Sequence, residues 1–157
     1  MKSAATVVSL HTARSGAAPM QSVKRVNAIV GCGLEGDRYH NLSGTYSNHP
    51  GDGRHVTLIE SEALDALCGE YQIELEYGLA RRNIVTRAAA LNHLVGREFR
   101  IGAVILHGTR LCEPCVHLDK LSQSGTMRGL IHRGGLRAEI VVGGIIAVGD
   151  PIVVVED

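Results

Sequence analysis

The chain has 157 residues, 45% hydrophobic and 20% charged, which fits one domain with one core and excludes the low-hydrophobicity, high-charge signature of disorder. Sixteen basic and sixteen acidic residues cancel to a net charge of zero, so no global field draws the protein to nucleic acid or anionic lipid. No apolar run reaches the roughly 18 residues of a membrane span, and the opening MKSAATVVSLHTARSG has polar residues where a signal peptide needs its apolar core; the expected location is cytoplasmic, with no membrane partner.

With no Trp, one Phe and four Tyr, the core has to be built from Val, Ile, Leu and Ala, a composition suited to strands. In chain order, VVSL (residues 7–10) reads as a short strand, followed by a Gly/Pro-containing connection and a second apolar run at residues 26–30 that ends in GCG, where glycine permits a tight turn with positive φ. Residues 36–54, GDRYHNLSGTYSNHPGDGR, are rich in Gly, Asn, Ser and His without periodicity and read as a long polar loop. HVTLI alternates and is β-branched. SEALDALCGEY then places Ala63, Leu64, Leu67 and Cys68 at helical spacing behind Ser61 as the expected cap.

After that helix, NIVT reads as a strand, LNHLVG as a turn-containing segment, and FRIGAVILHGTRL as strand, glycine break and strand. MRGLIHR reads as a short helix, and AEIVVGGIIAVGDPIVVVE as two β-rich runs separated by GG and punctuated by GDP. Short strands joined at this density by Gly-rich turns indicate a closed or nearly closed β-barrel, in which closure removes exposed edges.

Of the four cysteines, Cys32 and Cys68 lie in apolar stretches and are expected to be small buried hydrophobes; nothing marks a secreted disulfide scaffold, so the thiols are expected to be reduced. The sharpest local feature is LCEPCVHLD, in which Cys112 and Cys115 flank Glu113 and Pro114 just after a strand. Three chemistries compete for it. A structural zinc site wants a second pair or a spatial set drawn from His107, His117 and His132; a thioredoxin-like dithiol wants a helix N-terminus in a βαβ setting, whereas the flanks here are β. The third is a single working thiolate on a loop, with Cys112 as an optional resolving partner. Two packing cysteines are the bland alternative, and a Pro-containing turn beside Glu and His is a poor place to bury both.

Arginines and glycine-bounded backbone amides recur at GDR (residues 36–38), at GDGR ending in Arg54, at ARRN ending in Asn83 and at HRGG starting at His132. Guanidinium forks and closely approachable amides are what a small anionic, phosphate-bearing ligand needs, although a surface arginine is more often simply solvated.

GLEGDRYH (33–40), RHVTLIESEAL (54–64), RRNIVT (81–86), LVGREFRIG (94–102), LCEPC (111–115), HRGGLRAEI (132–140) and VGDPI (148–152) together resemble, in order and content, the MOSC family, named for the C-terminal domain of molybdenum-cofactor sulfurases. The resemblance runs over residues 33–157, and the strand and connection of residues 1–25 are taken with it as one stand-alone domain, 1–157. It implies a mainly β fold, a Greek-key-like β-barrel of the pyruvate-kinase type with a few short helices. It implies a molybdenum cofactor (molybdopterin) as ligand and a key cysteine, here Cys115, that carries persulfide sulfur or is the metal ligand. It places Arg54, His55, Arg81 and Asn83 at cofactor-contacting positions; Asp37 and Arg38 are expected to orient the site, and Arg133 to join Arg54 and Arg81 at the anionic end.

The family's larger reductases carry a further N-terminal β-barrel region, and the full sulfurases carry a pyridoxal-phosphate-dependent desulfurase domain. The resemblance covers neither, and a chain of this length has no room for a pyridoxal-phosphate fold. Sulfur is therefore expected to arrive from a desulfurase or reductase partner or from a small donor, and the chain to act as a sulfurtransferase-like or molybdenum-dependent reductase component. The alternative from a different class is a non-catalytic binding or scaffold domain within a larger complex.

Overall fold

Runs of β-branched and aliphatic residues between glycine turns do become strands. A computed structural model describes residues 4–15, 18–37, 55–113 and 125–156. VVSL lies in β1, Thr6–Thr12, which is followed by β2, Gln21–Val23. The second apolar run is β3, Arg25–Ile29, and the glycines after it turn the chain into β4, Gly33–Leu34, with Gly31 and Gly33 at φ of 77° and 117°. Then come β5, Val56–Glu60; α1, Ser61–Tyr71; and β6, Ile84–Arg87. β7, Glu98–Ile101, and β8, Val104–Leu111, form a hairpin over the Gly102 break. The short helix α2, Thr126–Gly129, precedes β9, Leu136–Val142; β10, Gly144–Ala147; and β11, Ile152–Val154.

The protein is mainly β, as expected. An eight-stranded sheet runs β11-β7-β8-β9-β5-β6-β1-β2 and a three-stranded one runs β10-β3-β4. These ladders do not themselves close. The β11 end nevertheless reaches β1: Thr6 bridges Pro151, Val7 N donates to the Asp150 carbonyl at 3.0 Å, Gly149 N to the Val7 carbonyl at 2.9 Å and Ile152 N to the Ala5 carbonyl at 2.9 Å.

β5 and β6 are parallel neighbours joined through α1, and both read as nearly continuous apolar runs because both faces are covered. Val56, Leu58 and Ile84 enter the main core with Leu10, Phe99, Leu106 and Leu136. Ile59 and Val85 point the other way, into a second cluster with Ala63, Leu64, Leu67, Ala80 and Leu130. The helix thus buries its apolar stripe on the outer face of the β5–β6 pair.

Three local expectations are corrected. The N-cap of α1 is Glu60, extended at φ −77° and ψ 133° with no side-chain cap. Ser61 is already helical because β5 runs straight into the helix, and its hydroxyl meets Glu62 at 3.3 Å. Cys68 is exposed, since it lies roughly 90° around the helix from the middle of the Ala63, Leu64 and Leu67 stripe. Cys32 is exposed as well, held in the turn after β3 by its N–H bond to the Ile29 carbonyl at 3.1 Å. Among the described residues no helix is long and apolar enough to cross a membrane.

Candidate functional site

Because β5 and β6 are parallel and β1 is antiparallel to β6, the starts of β5 and β6 meet the end of β1 at one margin of the sheet. Asn83 sits there, fully buried. Its Oδ1 accepts from Thr57 N at 3.0 Å and from Thr57 Oγ1 at 3.1 Å, and its Nδ2 donates to the His11 carbonyl at 3.1 Å. Its backbone adds a bond from Asn83 N to the Thr57 carbonyl at 3.0 Å and one from His11 N to the Asn83 carbonyl at 2.7 Å. The side chain ties three strands together, and the polar atoms of that tie are already matched inside the protein.

The preceding arginines anchor this knot outward. Arg81 is buried with left-handed backbone, φ 61°, and donates through Nη1 to the Ala18 carbonyl. Arg82, also buried, donates through Nε to the Gly134 carbonyl at 2.9 Å and through Nη2 to the Cys112 carbonyl at 3.2 Å. Asp37 is fully buried, with Oδ1 accepting from Ala13 N at 3.0 Å, so it stands just past the end of β1. His55 opens β5, and its Nδ1 is a buried atom with no hydrogen-bond partner among the described residues.

Cys112 marks the entrance to the CEPC turn. Its N–H donates to the Gly135 carbonyl at 2.7 Å, which carries the β8–β9 pairing past Leu111 and turns the thiol inward to 4% exposure. Cys112 thus packs in the interior, whereas Cys115 lies outside the described residues. Glu113 faces the HRGG segment: Oε1 accepts from His132 N at 3.0 Å, and Oε2 lies 3.3 Å from His132 Nδ1. ARRN, the entrance of CEPC and HRGG are thus bonded to one another.

Other expected site residues fall differently. Arg133 turns toward α1, with Nε donating to the Gly129 carbonyl at 2.8 Å and Nη2 lying 2.6 Å from Glu70 Oε2. Arg38, Arg54, Cys115 and His117, with most of the long polar loop, lie outside the described residues. Among the described residues no group of three or more His, Cys, Asp or Glu is arranged to hold a metal ion.

The motif reading missed His11 and Thr57, because a polar residue in an alternating strand reads as solvent-facing. It also passed over Arg82, although ARRN was in view. His11 is 6% exposed, with Nε2 at 2.8 Å from Ser9 Oγ. Burial holds its imidazole below the ordinary value of 6.5. Glu60, at the far end of β5, is pushed above 4.5, chiefly by burial and further by Glu62, against the opposing Leu91 N–H and His93.

A family model for the MOSC domain matches residues 45–153. Among solved structures, the chain is similar to the YuaD protein of Bacillus subtilis, with a TM-score of 0.80 and 14% identity over 96% of this chain and 94% of that one. It is similar to YiiM of Geobacillus stearothermophilus, with a TM-score of 0.73 and 14% identity over 97% and 75%, and to YiiM of Escherichia coli, with a TM-score of 0.64 and 16% identity over 100% and 71%. At these identities the likeness shows the fold alone. A search of curated protein sequences finds no match.

Proposed function

The chain belongs to the MOSC domain family, which is associated with molybdenum-cofactor-related function, and from that premise we propose that it serves such chemistry through Cys115, as a molybdenum ligand or as a persulfide carrier. The observation that carries the reading is the mutual bonding of ARRN, HRGG and the entrance of the CEPC turn. Segments 52 residues apart in sequence meet at the Cys112 end of that turn, since Arg82 bonds both to Gly134 and to Cys112. The family match itself takes in Arg54, His55, Arg81, Asn83, Cys115 and Arg133.

A molybdenum cofactor fits the described part of this arrangement at one point in particular. His55 Nδ1 is a buried polar atom that no described residue satisfies, and a polar ligand at the start of β5 would satisfy it. Arg54, His55 and Arg81 would hold the anionic pterin end, with Asp37 and Arg38 orienting the site and Cys115 at the metal. Asn83 serves as frame, because its amide is already matched by Thr57 and His11. When bound, the cofactor supplies metal-centred sulfur or redox chemistry. The chain's own part would be a soft thiolate, suited to either metal or sulfane sulfur.

The test is to purify the protein from a host that makes the cofactor and to measure molybdenum and pterin, with Cys115→Ser alongside. Metal-free protein in every preparation sinks the cofactor role. Cyanide-labile sulfur tests the carrier role, which predicts a signal lost in Cys115→Ser and kept in Cys112→Ser. Equal signal in all three forms sinks that one.

A further inference from the structure

β8 meets β9 with a register shift between Gly108 and Arg110. Such a bulge inserts one residue and re-aims the side chains that follow it. Without it, strict alternation from Leu106 in the core would turn residue 110 inward. With it, Arg110 stands opposite Arg137, and Leu111 stands opposite Leu136 of the core. Arg137 lies between two core residues, Leu136 and Ala138, so its side chain and that of Arg110 share the outer face of the ladder. Arg110 is exposed and Arg137 half-buried.

Directly opposite residues of an antiparallel pair have Cβ atoms roughly 5 Å apart, and like charges so placed destabilise the pair. Among the described residues, no carboxylate forms an ion pair with Arg110 or Arg137; Glu113 is taken by His132 and Glu70 by Arg133. Two acidic residues of the same face, Glu98 and Glu139, stand in register on either side of His107 instead. A third guanidinium reaches this end of the ladder. Arg82 is buried and donates to the Cys112 carbonyl, a little beyond Arg110, and to the Gly134 carbonyl, a little before Arg137. A single solvated arginine needs no explanation. A like-charged pair set face to face by a bulge, in a chain whose net charge is zero, calls for an anion.

We infer that Arg110 and Arg137 form an oxyanion site on the open face of β8 and β9, whose ligand is a phosphate group, free or carried as a monoester on a small molecule. Two guanidinium forks offer paired N–H donors and two positive charges. A phosphate dianion matches both charges and reaches both forks with its several acceptor oxygens. A carboxylate would neutralise one arginine and leave the other. Neither Cys115 nor the proposed cofactor contacts Arg54, His55 and Arg81 enter this site.

The thermal midpoint of the full chain is followed against inorganic phosphate, glycerol phosphate and acetate, at constant ionic strength set with chloride. The unaltered protein is compared with Arg110→Gln, Arg137→Gln and Arg100→Gln, the last an exposed control on β7 opposite Ile105. Inorganic phosphate should raise the midpoint saturably in the unaltered protein and the control, and acetate much less. Its dissociation constant should weaken about tenfold in Arg110→Gln and in Arg137→Gln. In chloride alone the order inverts: Arg110→Gln should be at least as stable as the unaltered protein, because the repulsion within the pair is gone. An arginine that served only the fold would give a lower midpoint in chloride and an unchanged response to phosphate, and that result overturns the site. So does a phosphate response that is absent, equal to that of acetate, or kept in full by both pair variants. If Arg137→Gln does not fold, Arg110→Gln decides alone. Glycerol phosphate binding at least as tightly as inorganic phosphate marks a monoester as the ligand; weaker binding marks the free ion, and the site stands in both cases.

Discussion

Asn83 lies at a position where the family resemblance expects a cofactor contact, yet the folded chain gives its amide partners of its own. Replacing it with Ala strands Thr57 N, Thr57 Oγ1 and the His11 carbonyl in a fully buried place. With each abandoned group costing about 1–3 kcal/mol, Asn83→Ala should lose about 3 kcal/mol, read as a lower urea midpoint at unchanged slope. An Asn83→Ala protein that keeps its midpoint and loses only cofactor would return the side chain to the ligand. His11 and Glu60 give the pH dependence at the same scale. Burial lowers the imidazole of His11 below 6.5, so the stability it contributes is full above that value and is lost as pH falls through the lower folded one. Burial raises the carboxyl of Glu60 above 4.5, so its ionised form is a penalty at neutral pH that is relieved as pH falls through the raised value. His11→Gln should therefore flatten the acid-side loss. Glu60→Gln keeps an acceptor for Leu91 N–H and should raise stability at neutral pH. Urea midpoints taken from about pH 4 to about pH 8 check both signs.

At the level of elements, alternation and glycine punctuation were legible. The strands stand where VVSL, HVTLI, NIVT and FRIGAVILHGTRL lie, and α1 stands where the helical spacing put it. What could not be read was which face each element shows. Cys68 and Leu67 are neighbours in an apolar run, and only the packing of α1 on β5 and β6 decides that one is buried and the other exposed. The HRGG glycines were read as places for a ligand to approach the backbone, yet Gly135 meets a need of the fold. At φ 115°, a Cβ there would stand 1.9 Å from the Leu58 carbonyl oxygen, and its own carbonyl receives Cys112 N. Both contacts are backbone, so neither can yield cheaply. Gly135→Ala should cost at least about 4 kcal/mol or abolish soluble folded protein. Gly31 has φ 77° and open space around it, so Gly31→Ala should cost only about 1–2 kcal/mol. Equal urea midpoints for the two variants would show that the β5–β9 approach is looser than this geometry.

For the molecule as a whole, a sequence without repeats could announce a mainly β fold through turn density and resemblance, but not how its ends meet. That depends on pairings between Thr6 and Pro151, and between Val7 and residues 149–150, which no local pattern encodes. The candidate site was legible for a similar reason and to a similar extent. Motifs named the segments that converge, while the Arg82 and Asn83 bonds that hold them together arise from contacts 26 to 72 residues apart. The seam also determines how the sheet unfolds. If the bonds of Val7, Gly149 and Ile152 join the sheet's two ends into one cooperative unit, their amides open only when the whole sheet does. Native-state hydrogen exchange should then protect those three amides to within about tenfold of the β8 and β9 amides, a spread of about 1.4 kcal/mol. Exchange faster by several orders of magnitude would mean that β11 peels from β1 while the rest stays folded, and that the open ladder order describes the sheet better than a ring does.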